Sequence, residues 1–267
     1  MSDKNALIRP DRGEKATAVH LVDKQGLETF LKARTPAQRS ALEAHRFTAD
    51  KGAFAIMPDG DGWAVAAGVD DSASLSGWCM AQLAEKLPAG TYRRAGGEPG
   101  RAMFGWITGQ YRFDRYRSDA PDDGPRILLT KQVKAIGPVT AEAAAVELVR
   151  DLVNTPAEDM GPAELEAAVN LLAKAHRAEM HVTKGDTLER EFPMVHMVGR
   201  ASGRAHAPRM IELEWGDPKP PRVAIVGKGV CFDSGGLDIK PASAMLLMKK
   251  DMGGAAHAIA LAGLVMQ

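Results

Sequence analysis

A short apolar run that leads into a glycine-rich polar turn occupies residues 223–241, with the sequence Val-Ala-Ile-Val-Gly-Lys-Gly-Val-Cys-Phe-Asp-Ser-Gly-Gly-Leu-Asp-Ile-Lys-Pro. The continuous apolar residues Val223–Val226 predict a buried strand that helices cover on both faces. Ligands of open α/β sheets bind beyond the carboxyl ends of the strands, and Lys228 comes directly after this strand. The stretch therefore predicts an α/β fold with its functional residues in the turn that follows.

Four ionisable residues lie on the predicted loops of this region: Lys228, Asp233, Lys240 and, just before a helix, Asp251. A structural interpretation makes Lys228 and Asp233 a loop ion pair and makes Asp251 a helix N-cap. A metal interpretation uses the two carboxylates as hard ligands and a deprotonated lysine as a third. The residue types alone leave both interpretations open.

Two other classes of site are disfavoured by the same stretch. Gly227-Lys-Gly229 lacks the third glycine of a dinucleotide loop, where Phe232 stands, and lacks the Gly-Lys-Ser/Thr ending of a P-loop. Asp233-Ser-Gly-Gly236 resembles the surroundings of some catalytic serines, but no histidine lies in a recognisable base motif. Cys231 has no base nearby in the sequence and is interpreted as a packed thiol.

Composition limits the class of protein. The 267 residues carry 34 basic and 34 acidic side chains, so no basic excess supports nucleic-acid binding. The two cysteines, Cys79 and Cys231, cannot form a disulfide framework and are typical of a reducing cytoplasm. Met1–Arg12 has no apolar signal-peptide core, and the apolar stretch Met252–Met266 is too short to span a bilayer. We therefore expect a cytoplasmic protein with no membrane or nucleic-acid partner.

Residues 1–138 predict a smaller N-terminal α/β domain. Thr35 before Pro36 predicts the start of a helix that runs to Phe47. The other predicted elements are a hairpin of Phe54–Met57 and Trp63–Val69, a helix through Leu75, Trp78, Cys79 and Leu83, and a buried strand at Arg126–Thr130.

Residues 139–267 predict a second domain, with a mixed sheet sandwiched by helices. Its predicted helices are Thr140–Val153, a segment that begins at Pro162, and the apolar segment from Gly253 to Gln267. Its predicted strands are Met194–Val198, Arg209–Trp215 with Trp215 facing inward, and Val223–Val226.

The string from Val226 to Pro241, together with Met248-Lys-Lys-Asp-Met-Gly-Gly-Ala-Ala256, resembles the leucyl aminopeptidase (cytosol aminopeptidase) family. Supporting similarity comes from Asn154–Pro162, Phe192–Ser202 and Met210–Gly216, so the resemblance covers most of the chain from about residue 140 onward. It implies a metal-dependent aminopeptidase that releases neutral N-terminal residues such as leucine from peptides by two-metal hydrolysis.

The resemblance also implies a role for each matching residue. Lys228, Asp233 and Asp251 match metal ligands, with Asp233 shared by the two ions. Lys240 matches the catalytic lysine that polarises the scissile carbonyl. Met248 matches a residue of the pocket for the first side chain, and Asp251 is also placed to meet the free amino group of the substrate.

Further implications concern cofactors and assembly. The family binds two divalent ions per subunit, for which zinc and manganese are the main candidates and magnesium a third. Its substrates are peptides with a free N-terminus, and its members assemble as homohexamers.

One part of the family pattern is missing. A later Asn-Thr-Asp-Ala-Glu-Gly-Arg motif supplies two more carboxylate ligands and an arginine, and nothing equivalent follows Asp251. Asn154-Thr-Pro-Ala-Glu158 is a near match that precedes the lysine motif and has Pro156 in place of the aspartate. We therefore expect either the front part of a longer enzyme or a truncated, non-catalytic remnant or assembly subunit.

Overall fold

The computed structural model describes residues 7–119, 124–219 and 221–267. The chain divides into two compact units, residues 1–144 and 145–267. The domain boundary between residues 138 and 139 stays a proposal. In the described ranges, none of the helices has both the length and the apolar character needed to cross a membrane.

The first unit is built on a six-stranded sheet with the order β1-β6-β5-β2-β4-β3. All neighbouring strands run parallel except the antiparallel pair β3 and β4. The strands are β1 (Ile8–Pro10), β2 (Thr17–Val22), β3 (Phe54–Asp59), β4 (Gly62–Gly68), β5 (Gly90–Ala95) and β6 (Arg126–Thr130). This confirms the α/β class, with a mainly parallel sheet.

Helices complete the first unit. They are α1 (Leu27–Lys32), α2 (Pro36–Ala44), α3 (Ala81–Lys86), α4 (Ala102–Thr108) and α5 (Val133–Asn154), within which the division of the chain falls. The predicted start of α2 is confirmed: the Thr35 hydroxyl accepts a hydrogen bond from the Gln38 backbone, and the Gln38 side chain accepts one from the Thr35 backbone. The hairpin and the strand Arg126–Thr130 are confirmed as well.

One predicted helix of this unit is shorter than expected. Trp78 and Cys79 lie in a turn, Leu75 lies outside regular structure, and regular helix begins only at Ala81. One backbone group of this segment bonds outside it, since the Gly77 carbonyl accepts from the Gly105 N–H at 2.7 Å. The apolar spacing therefore reflected packing of a turn against α4 rather than helical geometry.

The second unit is helical around a small antiparallel pair of strands, β7 (Glu179–Lys184) and β8 (Arg209–Glu214). Its further helices are α6 (Pro162–His176), α7 (Gly185–Glu191), α8 (Pro193–Gly199), α9 (Ala242–Met245) and α10 (Gly253–Val265), with 3-10 helices at Arg204–His206 and Met248–Met252. A buried cluster that includes Leu165, Met252 and Ile259 packs α6 against α10.

Three expectations for this unit are wrong. Met194–Val198 lies within helix α8, because Pro193 suits the first helical turn and the apolar residues also fit helical spacing. Val223–Val226 forms no strand, and Val223 is 87% exposed: no described strand lies beside it to pair with its backbone. Trp215 is 51% exposed just after β8, so it does not face inward.

Candidate active site

Close backbone contact with the start of α10 positions Lys228. The Ala255 N–H donates to the Lys228 carbonyl at 2.9 Å. A Cβ at Gly227 would lie 2.4 Å from the Gly254 carbonyl oxygen, and one at Gly254 would lie 2.8 Å from the Lys228 nitrogen. The segment that carries Lys228 can therefore approach α10 this closely only because residues 227 and 254 are both glycine.

A closed turn carries Asp233 and Lys240. The Asp233 Oδ1 accepts from the Gly235 N–H at 2.9 Å, and the Lys240 N–H donates to the Ser234 carbonyl at 2.9 Å. Gly235 has φ +98°, a conformation that glycine adopts without steric cost. The turn brings the Lys240 Nζ to 2.8 Å from the Asp233 Oδ2.

Asp251 lies in the 3-10 helix Met248–Met252, directly before α10. Its Oδ2 is 3.7 Å from the Lys228 Nζ, and its Oδ1 is 3.0 Å from the Lys250 Nζ. The neighbouring Lys249 donates to the Asn154 carbonyl at the end of α5, at 2.7 Å. This contact fixes the 3-10 helix that bears Asp251.

Lysine charges dominate the electrostatics of the site. The hydrogen bond from Lys240 holds the pKa of Asp233 below its ordinary value, and the charge of Lys228 adds to this. The hydrogen bond from Lys250 lowers the pKa of Asp251, with further contributions from Lys228 and Lys240. Both carboxylates therefore remain ionised at neutral pH, as ligands of a divalent cation must be.

The arrangement differs from the structural interpretation given above. Lys240 pairs with Asp233, and both Lys250 and Lys228 pair with Asp251, so Lys228 does not form the predicted pair with Asp233. Asp251 makes no side-chain cap to α10, whose preceding residue is Met252. The charge of Lys228 nevertheless contributes to the lowered pKa of Asp233, and the charge of Lys240 contributes to the lowered pKa of Asp251.

The donor set fits part of a divalent-metal site. Two donor atoms bound to one ion at about 2.1 Å lie about 3–4 Å apart, and the Lys228–Asp251 distance of 3.7 Å falls in that range. Within residues 7–119, 124–219 and 221–267, no group of three or more His, Cys, Asp or Glu side chains could hold a metal. The local set therefore consists of two carboxylates and a lysine, and the ligand roles of Lys228, Asp233 and Asp251 stay proposals.

Met248 and Cys231 form the buried side of the site. Met248 is 5% exposed, and its sulfur accepts a hydrogen bond from the Asp233 N–H at 3.1 Å. Cys231 is buried, which confirms a packed thiol, and this burial raises the pKa of the thiol to about 11. The substrate-pocket role of Met248 stays a proposal.

Lys249 and Lys250 belong to the sequence motif, but the sequence alone predicts no role for either. Lys250 is the closer cation to Asp251, and Lys249 attaches the 3-10 helix to α5. The sequence shows only that both lysines directly precede Asp251. It does not indicate the contact of Lys249, because its partner lies 95 residues away in the sequence.

Comparison with known protein families covers both units. A model of the catalytic domain of the cytosol aminopeptidase family matches residues 147–267. A model of the M17 aminopeptidase N-terminal domain matches residues 17–129.

Individual proteins show the same similarity. A probable cytosol aminopeptidase of Wolinella succinogenes is 38% identical over 172 residues, which are 59% of this chain and 35% of that protein. The structure of a cytosol aminopeptidase from Coxiella burnetii is 36% identical, with a TM-score of 0.85 over 97% of this chain and 57% of that one. The bottromycin maturation enzyme BotP in complex with Mn is 27% identical, with a TM-score of 0.73 over 98% of this chain and 56% of that one. The chain thus spans little more than half the length of these solved relatives.

Proposed function

The chain belongs to the cytosol aminopeptidase family, and on this premise we propose that the protein is a metal-dependent aminopeptidase that releases neutral N-terminal residues such as leucine. The observation that supports this most strongly is the juxtaposition of two lysine–carboxylate pairs before α10, Lys228 with Asp251 and Lys240 with Asp233.

The metal ligands in this proposal are Lys228, Asp233 and Asp251, with Asp233 as the shared carboxylate. Two divalent ions, zinc, manganese or magnesium, would polarise the scissile carbonyl and lower the pKa of a water molecule when bound. The presence of Mn in the complex of the relative BotP supports manganese as a candidate.

The ammonium group of Lys240 lies beside Asp233, one of the proposed metal ligands. This group has three N–H donors, and one of them is used on Asp233 at 2.8 Å. The remaining donors are available to the oxygen of the scissile carbonyl as negative charge develops there. Lys240 is therefore the catalytic residue of the proposal.

In this proposal Asp251 and Met248 recognise the substrate. The Asp251 carboxylate attracts the positively charged α-amino group of a peptide with a free N-terminus. Met248 contributes to the pocket for the first side chain, and its apolar surface favours neutral residues. We further propose a cytoplasmic homohexamer, which sedimentation of the whole protein would test.

The decisive experiment replaces Lys240 by alanine in the whole protein. We expect turnover of leucine amide with added manganese to fall by roughly 10²–10³, the usual cost of one oxyanion donor, while metal content is retained. Lys219→Ala, which changes an exposed lysine outside the site, should leave both unchanged. Loss of metal together with activity would assign Lys240 to metal binding instead, and absence of hydrolysis by the unmodified protein would refute the function.

A second candidate is a non-catalytic assembly subunit that keeps the fold. The observation in its favour is that the described part of the site has only two carboxylates, and each of them is paired with a lysine. Two ions that share one carboxylate need about five ligand contacts, and three matched ligands do not supply them.

Activity of the whole protein separates the two candidates, and metal analysis of a polypeptide limited to residues 1–267 tests how much of the site these residues form. We expect at most one equivalent of tightly bound metal and no hydrolysis of leucine amide from this polypeptide. Two equivalents together with turnover would show that these residues form a complete site. The non-catalytic candidate requires that the whole protein is inactive as well.

A further inference from the structure

A cavity of about 660 Å³ lies in the first unit, at the carboxyl ends of β1, β6 and β5. Its lining comes from the segments that directly follow these strands and from the last residues of the strands themselves. The charged lining residues are Asp11, Arg12, Arg93, Arg94, Glu98 and Lys131. This is the edge of a parallel sheet at which α/β proteins bind their ligands.

The lining is basic although the whole chain has no net charge. Four cationic and two anionic side chains contribute, which leaves an excess of two positive charges. Both carboxylates already have partners. Arg93 holds Asp11 through two hydrogen bonds, at 2.6 and 2.7 Å, and the Glu98 Oε2 accepts from Thr130 and from the Lys131 backbone.

Two cations remain without such partners. The side chains of Arg12 and Lys131 are exposed and form no ion pair with any residue that the structure describes. They come from different strand ends, after β1 and after β6, and both line the cavity. Two cations that line one cavity are suited to an anion with more than one charged oxygen.

Arg94 adds a buried donor. Its Nη1 and Nη2 donate to the carbonyls of Glu98 and Ser72, at 2.5 and 2.7 Å, which fixes the guanidinium in place. Its Nε–H is buried and has no hydrogen-bond partner among the described residues. Because this Nε–H is covered by protein atoms, a ligand in the cavity would not contact it, and Arg94 contributes a fixed positive charge to the lining instead.

Gly97 lets the loop after β5 lie against this guanidinium. A Cβ at this position would be 3.4 Å from the Arg94 Nη1, and the φ of +153° disfavours other residues. The loop therefore leaves the cavity open beside Arg94 rather than filling it with a side chain.

We propose that this cavity binds a small organic phosphate, with Arg12 and Lys131 as its phosphate-binding residues. Phosphate suits the site because several oxygens can accept from separate cations at once. An organic phosphate suits it better than inorganic phosphate, because the volume is within the range of about 300–1,000 Å³ that is typical of sites for whole small molecules. The proposal is independent of the aminopeptidase function.

Calorimetric titration of the whole protein at physiological ionic strength tests it. The probes are a nucleoside diphosphate, the corresponding nucleoside, and inorganic phosphate. We expect saturable binding of the diphosphate, with affinity at least roughly tenfold higher than for either of the others, since both charge and volume contribute.

Variants locate the binding. Arg12→Glu/Lys131→Glu should weaken the diphosphate at least roughly tenfold by reversing both unpaired charges. Lys86→Glu, an exposed lysine of α3 outside the cavity, should bind like the unmodified protein. Arg12→Ala/Lys131→Ala provides the same test with a smaller change, should the double reversal fail to fold.

Several results would overturn the proposal. No saturable binding of the diphosphate would exclude the site, and equal binding by the double variants would place it elsewhere. Equal affinity for inorganic phosphate would show that the organic part is not held, and equal affinity for the nucleoside would show that the phosphate is not recognised.

Discussion

Different kinds of contact position the important residues of the two units. In the first unit Tyr92 of β5 and Trp106 of α4 are fully buried. In the second, the segment that carries Lys228 and Asp233 has no regular structure, and Val226 within it is 86% exposed. Side-chain packing therefore stabilises the first unit, whereas close backbone approach and a few polar contacts position the residues of the proposed active site.

The largest test of this contrast replaces one tryptophan in each unit. Trp106 is fully buried, donates from Nε1 to the Arg126 carbonyl at 2.8 Å and packs edge-on against Tyr92. Trp106→Ala should lower the free energy of unfolding by about 3–5 kcal/mol, since it leaves a cavity in the core.

Trp215→Ala is the matched control. Because Trp215 is 51% exposed, its removal should change the free energy of unfolding by about 0.5 kcal/mol or less. Urea unfolding followed by circular dichroism measures both values. Similar losses in the two variants would contradict the difference in packing between the units.

A second test addresses the backbone contact that positions Lys228. In Gly227→Ala the new Cβ would lie 2.4 Å from the Gly254 carbonyl oxygen, so the segment must move away from α10. We expect a loss of about 1–3 kcal/mol in the free energy of unfolding, as for other overpacked positions, together with weaker metal binding.

Gly229→Ala separates close approach from a general effect of glycine. Its Cβ would meet nothing nearer than the Ala255 Cβ at 3.6 Å, an ordinary contact. Stability and metal affinity should therefore stay close to those of the unmodified protein. If both variants behave alike, the close approach of Gly227 does not position Lys228.

The smallest effect concerns acid stability of the first unit. The Arg93 guanidinium lowers the pKa of Asp11 from about 3.8 to about 2 in the folded protein. A carboxyl with a lowered pKa stabilises the fold above its unfolded-state pKa. This contribution should be lost as the pH falls from about 4 to about 2.

Asp11→Asn should therefore melt below the unmodified protein at pH 7 and together with it near pH 2. The comparison requires thermal unfolding at several pH values. Asp61→Asn, in the exposed turn of the hairpin, serves as the control and should track the unmodified protein throughout. A constant difference for Asp11→Asn across this range would rule out the Arg93 pair as its cause.

Local signals in the sequence determined much of the fold. Thr35, Pro36 and Gln38 predict the start of α2 because the capping hydrogen bonds join residues three apart. The turn between Phe54 and Val69 predicts the hairpin in the same way, since its partners are close in the chain. The motif from Val226 to Ala256 identified the family, because its residue types and spacing are themselves the signal.

Only the tertiary structure decided the features that depend on distant partners. Val223–Val226 has strand-forming residues, but a strand also needs a neighbour for its backbone, and none of the described strands provides one. Met194–Val198 suits a strand or a helix equally by its apolar residues, and its surroundings place it in a helix. The composition, which has no net charge, did not predict the basic cavity. Arg12 and Lys131 line the same cavity only because β1 pairs with β6. Residue spacing encodes contacts within a few positions, whereas pairing across the sheet and the choice of lysine for each carboxylate depend on how the whole chain folds.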